Sequence, residues 1–380
     1  MAKVSKAVGS LSAFPVGSAV QLARAIRSGQ VSSVELLRAY LDRVDRLNPA
    51  INAIVVDDRE RALKAARAAD RALRDGRSVG PLHGVPMTVK ESFNLVGQPT
   101  TWGDPQFAGN VATSDAVVVA RLRAAGAVIF GKTNVPLALA DFQSYNDVYG
   151  TTNNPWDLAR GAGGSSGGAA AALAAGLTGL EYGSDIGGSI RNPAAYNGVY
   201  GHKPTWGIVP KRGHTLSDLL VGEGPLSVVG PLARSAEDLA VALKATAGPD
   251  LEDGYRLVLP PPPRSLQGLR VAVWLDQPDI SPVDAAVVEA IEQAARALEK
   301  AGAVVDFDAR PDVDVHELHE TYLQLLQPTL SVNDPSYDRM VERAAALSPD
   351  DDSDYAQNLR FATARHREVA RAMERRDLHR

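Results

Sequence analysis

Apolar residues recur at three- and four-residue intervals near the start of the chain. Leu36, Leu37, Tyr40, Leu41 and Val44 fall on one face of a helix predicted over residues 32–47, and a second amphipathic helix is predicted over residues 18–29. Ser32-Ser33-Val34-Glu35 reads as a capping box, in which the serine hydroxyl takes a free N–H and the glutamate reaches back. Asn48-Pro49 is expected to stop this helix. An alanine- and arginine-rich helix follows from Asp57 to Asp75, ended by Gly76, its charged face toward solvent. The stretch from Gly84 to Lys90 is a mostly apolar strand that delivers a lysine. The ordinary reading of such a lysine is a solvated strand end, since lysines are rarely buried unless paired or functional.

Further along, Ser114 to Ala125 reads as a helix closed by Gly126 and followed by the strand Ala127 to Phe130. The same grammar returns over residues 281–307: Ser281 as cap, Pro282 in the first turn, Asp284 at the dipole, Gly302 as the stop, and Val304-Val305 opening a strand. The other residues of the two units do not match, so they are not a repeat. Ser235 to Ala247 reads as a capped helix, Leu269 to Trp274 as a buried strand, and the run Pro260 to Pro263 as an exposed linker. Helices are predicted over 314–326 and 355–378, with an acidic, solvated loop over 348–354. Apolar strands alternating with helices imply an α/β fold: a mixed, largely buried central sheet covered by helices on both faces.

The chain has 380 residues and no cysteine, which excludes disulfides, thiolate metal sites and a cysteine nucleophile. Its net charge of -5 gives no sign of a nucleic-acid surface. Glycines, serines and Pro15 interrupt the first twenty residues, against a signal peptide, and no apolar run spans a bilayer. A cytoplasmic location is expected, with no membrane partner; a homodimer is compatible with the sequence.

The chemistry concentrates between Arg160 and Arg191. Gly163-Gly164-Ser165-Ser166-Gly167-Gly168 precedes an alanine-rich helix, and Gly183-Ser184-Asp185-Ile186-Gly187-Gly188-Ser189 follows it. Glycine lets a ligand approach the main chain, and serine hydroxyls beside free N–H groups suit acyl transfer. Gly163 to Gly167 also satisfies G-x-S-x-G, but no buried strand leads into it, and His202, His214, His316, His319, His366 and His379 lie in no context that completes a triad. A phosphate cradle is disfavoured: alanines follow the first loop, and Gly131-Lys132-Thr133 lacks the upstream glycine. His316-Glu317-Leu318-His319 misses the zinc spacing of H-E-x-x-H and reads as a helix-surface pair.

Taken in order, Gly84-Val85-Pro86 leading to Lys90, Gly131-Lys132-Thr133-Asn134, Asn154-Pro155-Trp156-Asp157, the two serine loops and Gly201-His202-Lys203-Pro204-Thr205 resemble the amidase signature family. The resemblance runs from about residue 17 to at least 247 and implies a single amidase-like domain over residues 1–380, with the family's C-terminal part expected to be missing after Arg380. It implies a Ser–Ser–Lys triad: Ser189 as nucleophile, Ser165 as bridge after a cis peptide from Gly164, and Lys90 as base. The N–H groups of Ile186, Gly187, Gly188 and Ser189 would form the oxyanion hole, while Ser166, Asp185 and Arg191 would support the loops. A serine needs a base to take its proton, a lysine is a base only when burial lowers its pKa, and a serine between them both donates and accepts. The implied activity is hydrolysis of a small-molecule carboxylic amide, extending to esters or carbamates, without metal or organic cofactor. The alternative is an amidotransferase A-type subunit supplying ammonia for tRNA-linked amidation. A catalytically dead binding module is a third reading, opposed by the intact triad. Residues 139–147 lie where the family often lines its pocket, with Phe142 and Tyr145 as a candidate apolar wall.

Overall fold

Ser18 opens the first helix, α1 (Ala19–Arg27), by a reciprocal pair of bonds with Gln21, at 3.1 and 3.2 Å. Helix α2 (Ser33–Ile51) starts at the expected capping box, where Glu35 accepts the Ser32 N–H at 2.9 Å. It does not stop at Asn48-Pro49 but runs through the proline to Ile51. A proline in the last turn removes only one bond, and the left-handed Asn52 closes the helix instead (φ 55°). The Asn48 side chain accepts the N–H groups of Ala53 and Ile54, tying the helix end to strand β1 (Ile54–Asp57). The computed structural model describes residues 17–216, 226–250, 257–277 and 280–332; the loop expected at 348–354, the helix at 355–378, His366, His379 and the chain end lie outside them.

Helix α3 (Arg59–Arg74) buries only Ala62 and Ala66, and its charged face is solvated. Strand β2 (Pro86–Lys90) is buried along its whole length. Helix α4 (Val117–Ala124) begins three residues later than Ser114, because Asp115 is engaged elsewhere: its carboxylate accepts the Val96 N–H and pairs with Arg123. Strand β3 (Val128–Thr133) is central to one sheet, antiparallel to β1 and parallel to β2. Its side chains alternate between two cores. Val128 and Phe130 pack with Leu37, Leu41 and Ala171, whereas Ile129 packs with Leu22, Val118 and Leu122. This alternation places helices over both faces, as the continuous apolar runs require.

Two small hairpins follow, β4 (Tyr145–Asn146) with β5 (Gly150–Thr151) and β6 (Asn153–Asn154) with β7 (Asp157–Gly161). Helix α5 (Gly167–Ala174) leads to β8 (Glu181–Asp185), α6 (Arg191–Asn197), β9 (Tyr200–Gly201), β10 (Val228–Ala233) and α7 (Ala236–Thr246). Strand β10 lies between β8 and β9, antiparallel to both, and β8 runs beside β2. From α7, Asp238 accepts the N–H groups of Ala19 and Val20, both at 2.9 Å, across a separation of up to 219 residues. This carboxylate takes two of the donors that every helix start leaves free.

The described residues through Leu257 form one compact unit, and Val258–Pro328 belong to a second. The second opens on the exposed run Pro260 to Pro263. It holds the parallel pair β11 (Arg270–Ala272) and β12 (Val304–Asp306) with helix α8 (Ala285–Lys300). The strand expected to be buried over Leu269 to Trp274 is shorter, and Arg270 and Ala272 are exposed. Asp284, not Ser281, caps α8 by accepting the Ala286 N–H, because Ser281 is held back in a bridge to Gln277. Helix α9 (Val315–Val332) runs past the expected end at 326 and carries His316 and His319 on exposed positions. Among the described residues no histidine–carboxylate group is arranged to hold a metal ion.

Candidate active site

Strand β2 ends by pushing Lys90 into the interior rather than into solvent. Its side chain is fully buried, with Nζ 2.6 Å from Ser165 Oγ and 3.0 Å from Ser184 Oγ. Burial lowers its pKa from 10.5 to about 7, although the carboxylates of Asp185, Glu181 and Glu91 oppose the shift. A lysine so placed is partly free base near neutral pH and can accept a serine proton.

Ser165 stands in the loop before α5, after a cis peptide from Gly164. A side chain at Gly164 would collide with the Asp141 carbonyl and the backbone of Phe142 and Gln143, so only glycine fits under this loop. The Gly164 N–H donates to Asn192 Oδ1 at 3.3 Å. Next along, Ser166 joins the two serine loops through its N–H, which donates to the Ser189 carbonyl at 3.1 Å. Its hydroxyl donates to the Ser184 carbonyl at 3.4 Å.

Ser189 lies in the turn between β8 and α6, nearly buried. Asp185 organises that turn. Its carboxylate accepts N–H groups from Gly188 (2.8 Å), Ile190 (3.0 Å) and Arg191 (3.3 Å), and the Arg191 guanidinium meets it through two bonds. Burial pushes the Asp185 carboxyl up, but Arg191 and the N–H groups of Ile190 and Gly188 outweigh it and hold the carboxyl below its ordinary range. The Gly188 N–H is therefore spent inside its own loop, unlike the oxyanion donor that the resemblance implies. Gly188 serves the turn by its conformation (φ 122°). The N–H groups of Ile186, Gly187 and Ser189 find no acceptor among the described residues.

Sequence reasoning misses two buried groups beside Lys90. Ser184 contacts its amine, and Glu181 binds Thr88 on β2. The signal is present: β8 reads Glu-Tyr-Gly-Ser-Asp yet is buried throughout, and buried polar groups need partners. His214 makes its side-chain hydrogen bond to Ser92 and not to a serine of either loop. It packs between the rings of Phe93 and Trp102, with Nε2 2.9 Å from Ser92 Oγ, and burial holds it neutral.

Over residues 35–377 the chain matches the Amidase family. It is 42% identical over 301 residues to an indoleacetamide hydrolase of Bradyrhizobium diazoefficiens, covering 78% of this chain and 57% of that protein. It is 41% identical over 295 residues to the A-type subunit of a glutamyl-tRNA(Gln) amidotransferase from Acidothermus cellulolyticus, covering 76% of this chain and 57% of that relative. The fold matches the crystal structure of a bacterial aryl acylamidase of the amidase signature enzymes, with TM-score 0.76 and 25% identity over 91% of this chain and 75% of that one. The chain belongs to the amidase signature family. It spans somewhat over half the length of these two curated relatives.

Proposed function

We propose that this protein hydrolyses carboxylic amides through a seryl acyl-enzyme on Ser189. The observation that carries the reading is the buried Lys90 amine 2.6 Å from Ser165 Oγ, next to a turn whose backbone presents free N–H groups. Lys90, as free base, takes the Ser165 proton while Ser165 takes that of Ser189, whose oxygen attacks the amide carbonyl. The N–H groups of Ile186, Gly187 and Ser189 meet the developing oxyanion. Ser165 then returns the proton to the departing amine. Water, deprotonated along the same relay, releases the acid. Esters and carbamates share this acyl chemistry. Phe142, 55% exposed, lies close enough that a Cβ on Gly188 would meet its ring at 3.5 Å, which supports an apolar acyl or aryl group at that side.

The test is covalent. A fluorophosphonate should add once, at Ser189, and Ser189→Ala should neither label nor turn over aryl and alkyl amides; adduct on Ser166 instead would overturn the assignment. The similarity to the amidotransferase relative favours a second reading, in which ammonia is drawn from glutamine for a tRNA-linked acceptor. Ammonia release from glutamine exceeding turnover of simple amides would select it. Among the described residues no helix is long and apolar enough to cross a membrane; the cytoplasm is the location we propose, and cell fractionation checks it.

A further inference from the structure

Glu181 is a fully buried carboxyl that the acyl-transfer steps leave unused. It stands at the start of β8, across from β2, where Thr88 Oγ1 hydrogen-bonds it two residues before Lys90. The Tyr182 N–H donates to its other oxygen at 3.0 Å. The Thr133 hydroxyl is near the same carboxyl and makes no hydrogen bond among the described residues, and Thr133 is the register neighbour of Lys90 on β3. Among the described residues no arginine reaches this carboxyl, in contrast to Asp185, which Arg191 neutralises. Lys90 is the charged group that faces it.

From this placement we infer that Glu181 is a positioning residue for the proton of the active site: it stays protonated behind Lys90, and so leaves the lysine amine free to act as the base. The inference rests on the amide-hydrolase reading above. A carboxylate sealed beside Lys90 would hold the lysine as ammonium; a neutral carboxyl does not. Burial raises the Glu181 carboxyl from 4.5 to about 8, against the opposing hydrogen bonds of Thr88 and Tyr182, the nearby Thr133 hydroxyl and the charge of Lys90. The remaining groups around Lys90 are Asp185, already paired with Arg191, Glu91, and the buried neutral His214. Glu91 is satisfied by the N–H groups of Thr101 and Trp102 and by the Tyr149 hydroxyl, and it faces Lys132. Glu181 and Lys90 therefore titrate as a coupled pair over a broad range, not as two independent groups.

The experiment compares the wild type with Glu181→Gln, which keeps an oxygen for Thr88 but never ionises. The rate of fluorophosphonate labelling of Ser189 is followed against pH, so no substrate need be known. Glutamine stands in for the neutral carboxyl, so the acid limb near pH 7 should keep its midpoint in the variant. A limb moved down by about one pH unit would show Glu181 ionised beside Lys90 in the wild type and would overturn the inference. Infrared difference spectra across a pH titration give the second readout: the wild type should show a protonated-carboxyl stretch near neutral pH that Glu181→Gln lacks. Its absence from the wild type shows Glu181 ionised and also overturns the inference. Wild-type protein that never labels at Ser189 tells instead against the hydrolase reading, and the infrared band still decides the state of Glu181.

Discussion

Asp185 and Arg191 form a two-pronged ion pair across the turn that carries Ser189, with Nε to Oδ2 at 3.0 Å and Nη2 to Oδ1 at 2.9 Å. One partner is sealed and the other half exposed, so the pair acts chiefly by fixing where the turn's N–H groups point. Asp185→Asn should keep the fold but slow Ser189 labelling about 100-fold, the cost of displacing reacting groups by roughly an ångström. Labelling kinetics with circular dichroism as control check this; an unaltered rate would show that the turn holds itself.

Lys90 carries opposite effects on rate and stability. Activity should rise with pH through about 7, as the amine loses its proton. For stability, its folded pKa is depressed below the unfolded value of 10.5, so the unfolded chain binds the extra proton between about 7 and 10.5. The penalty is full below that window and fades as pH rises through it. Lys90→Met should therefore abolish labelling yet stabilise the fold by about a few kcal/mol at pH 6, with the gain vanishing by pH 11. Denaturant melts at both pH values measure it.

Ser184 supplies the second hydroxyl at the Lys90 amine, 3.0 Å away. Ser184→Ala should leave the fold intact and slow turnover roughly tenfold, equivalent to one ordinary hydrogen bond. A change confined to KM would place Ser184 at the substrate instead.

Asp238→Ala removes the shared acceptor of the Ala19 and Val20 N–H groups. The loss should be about 1–2 kcal/mol, typical of a lost helix cap, with labelling at Ser189 unchanged. Thermal melts and hydrogen exchange in α1 test both halves.

The parts of this molecule legible in its sequence are those fixed within a few residues. The Ser32–Glu35 box, the Gly76 stop and the two serine loops depend on local chemistry, and the structure places them where the pattern does. What escaped depends on partners far along the chain. Taken from its own strand alone Lys90 reads as a solvated end; the family resemblance, not the local pattern, marks it as the base, and Ser165 and Ser184 contact its amine. Asp115 looks like part of a helix start until Val96 and Arg123 claim it. The Gly188 N–H looks free until Asp185 turns back to accept it. Pro49 looks like a stop because pattern reading takes a proline as a breaker, whereas a last turn tolerates it. The Leu269 to Trp274 run is apolar enough for a buried strand, but composition alone does not say whether another layer covers it.

The bond from Ala19 to Asp238 also sets an order of events during synthesis. The helix α1 presents Ala19, Val20, Leu22, Ala23 and Ile26 to the core, and the carboxylate that accepts its first N–H sits 219 residues downstream. At about 5–20 residues per second, on the order of ten to forty seconds separate the emergence of this apolar stripe from that of the carboxylate that anchors it. Throughout that interval the nascent chain shows the stripe to whatever surrounds the ribosome, so helix α1 gains its anchor only after α7 has been made.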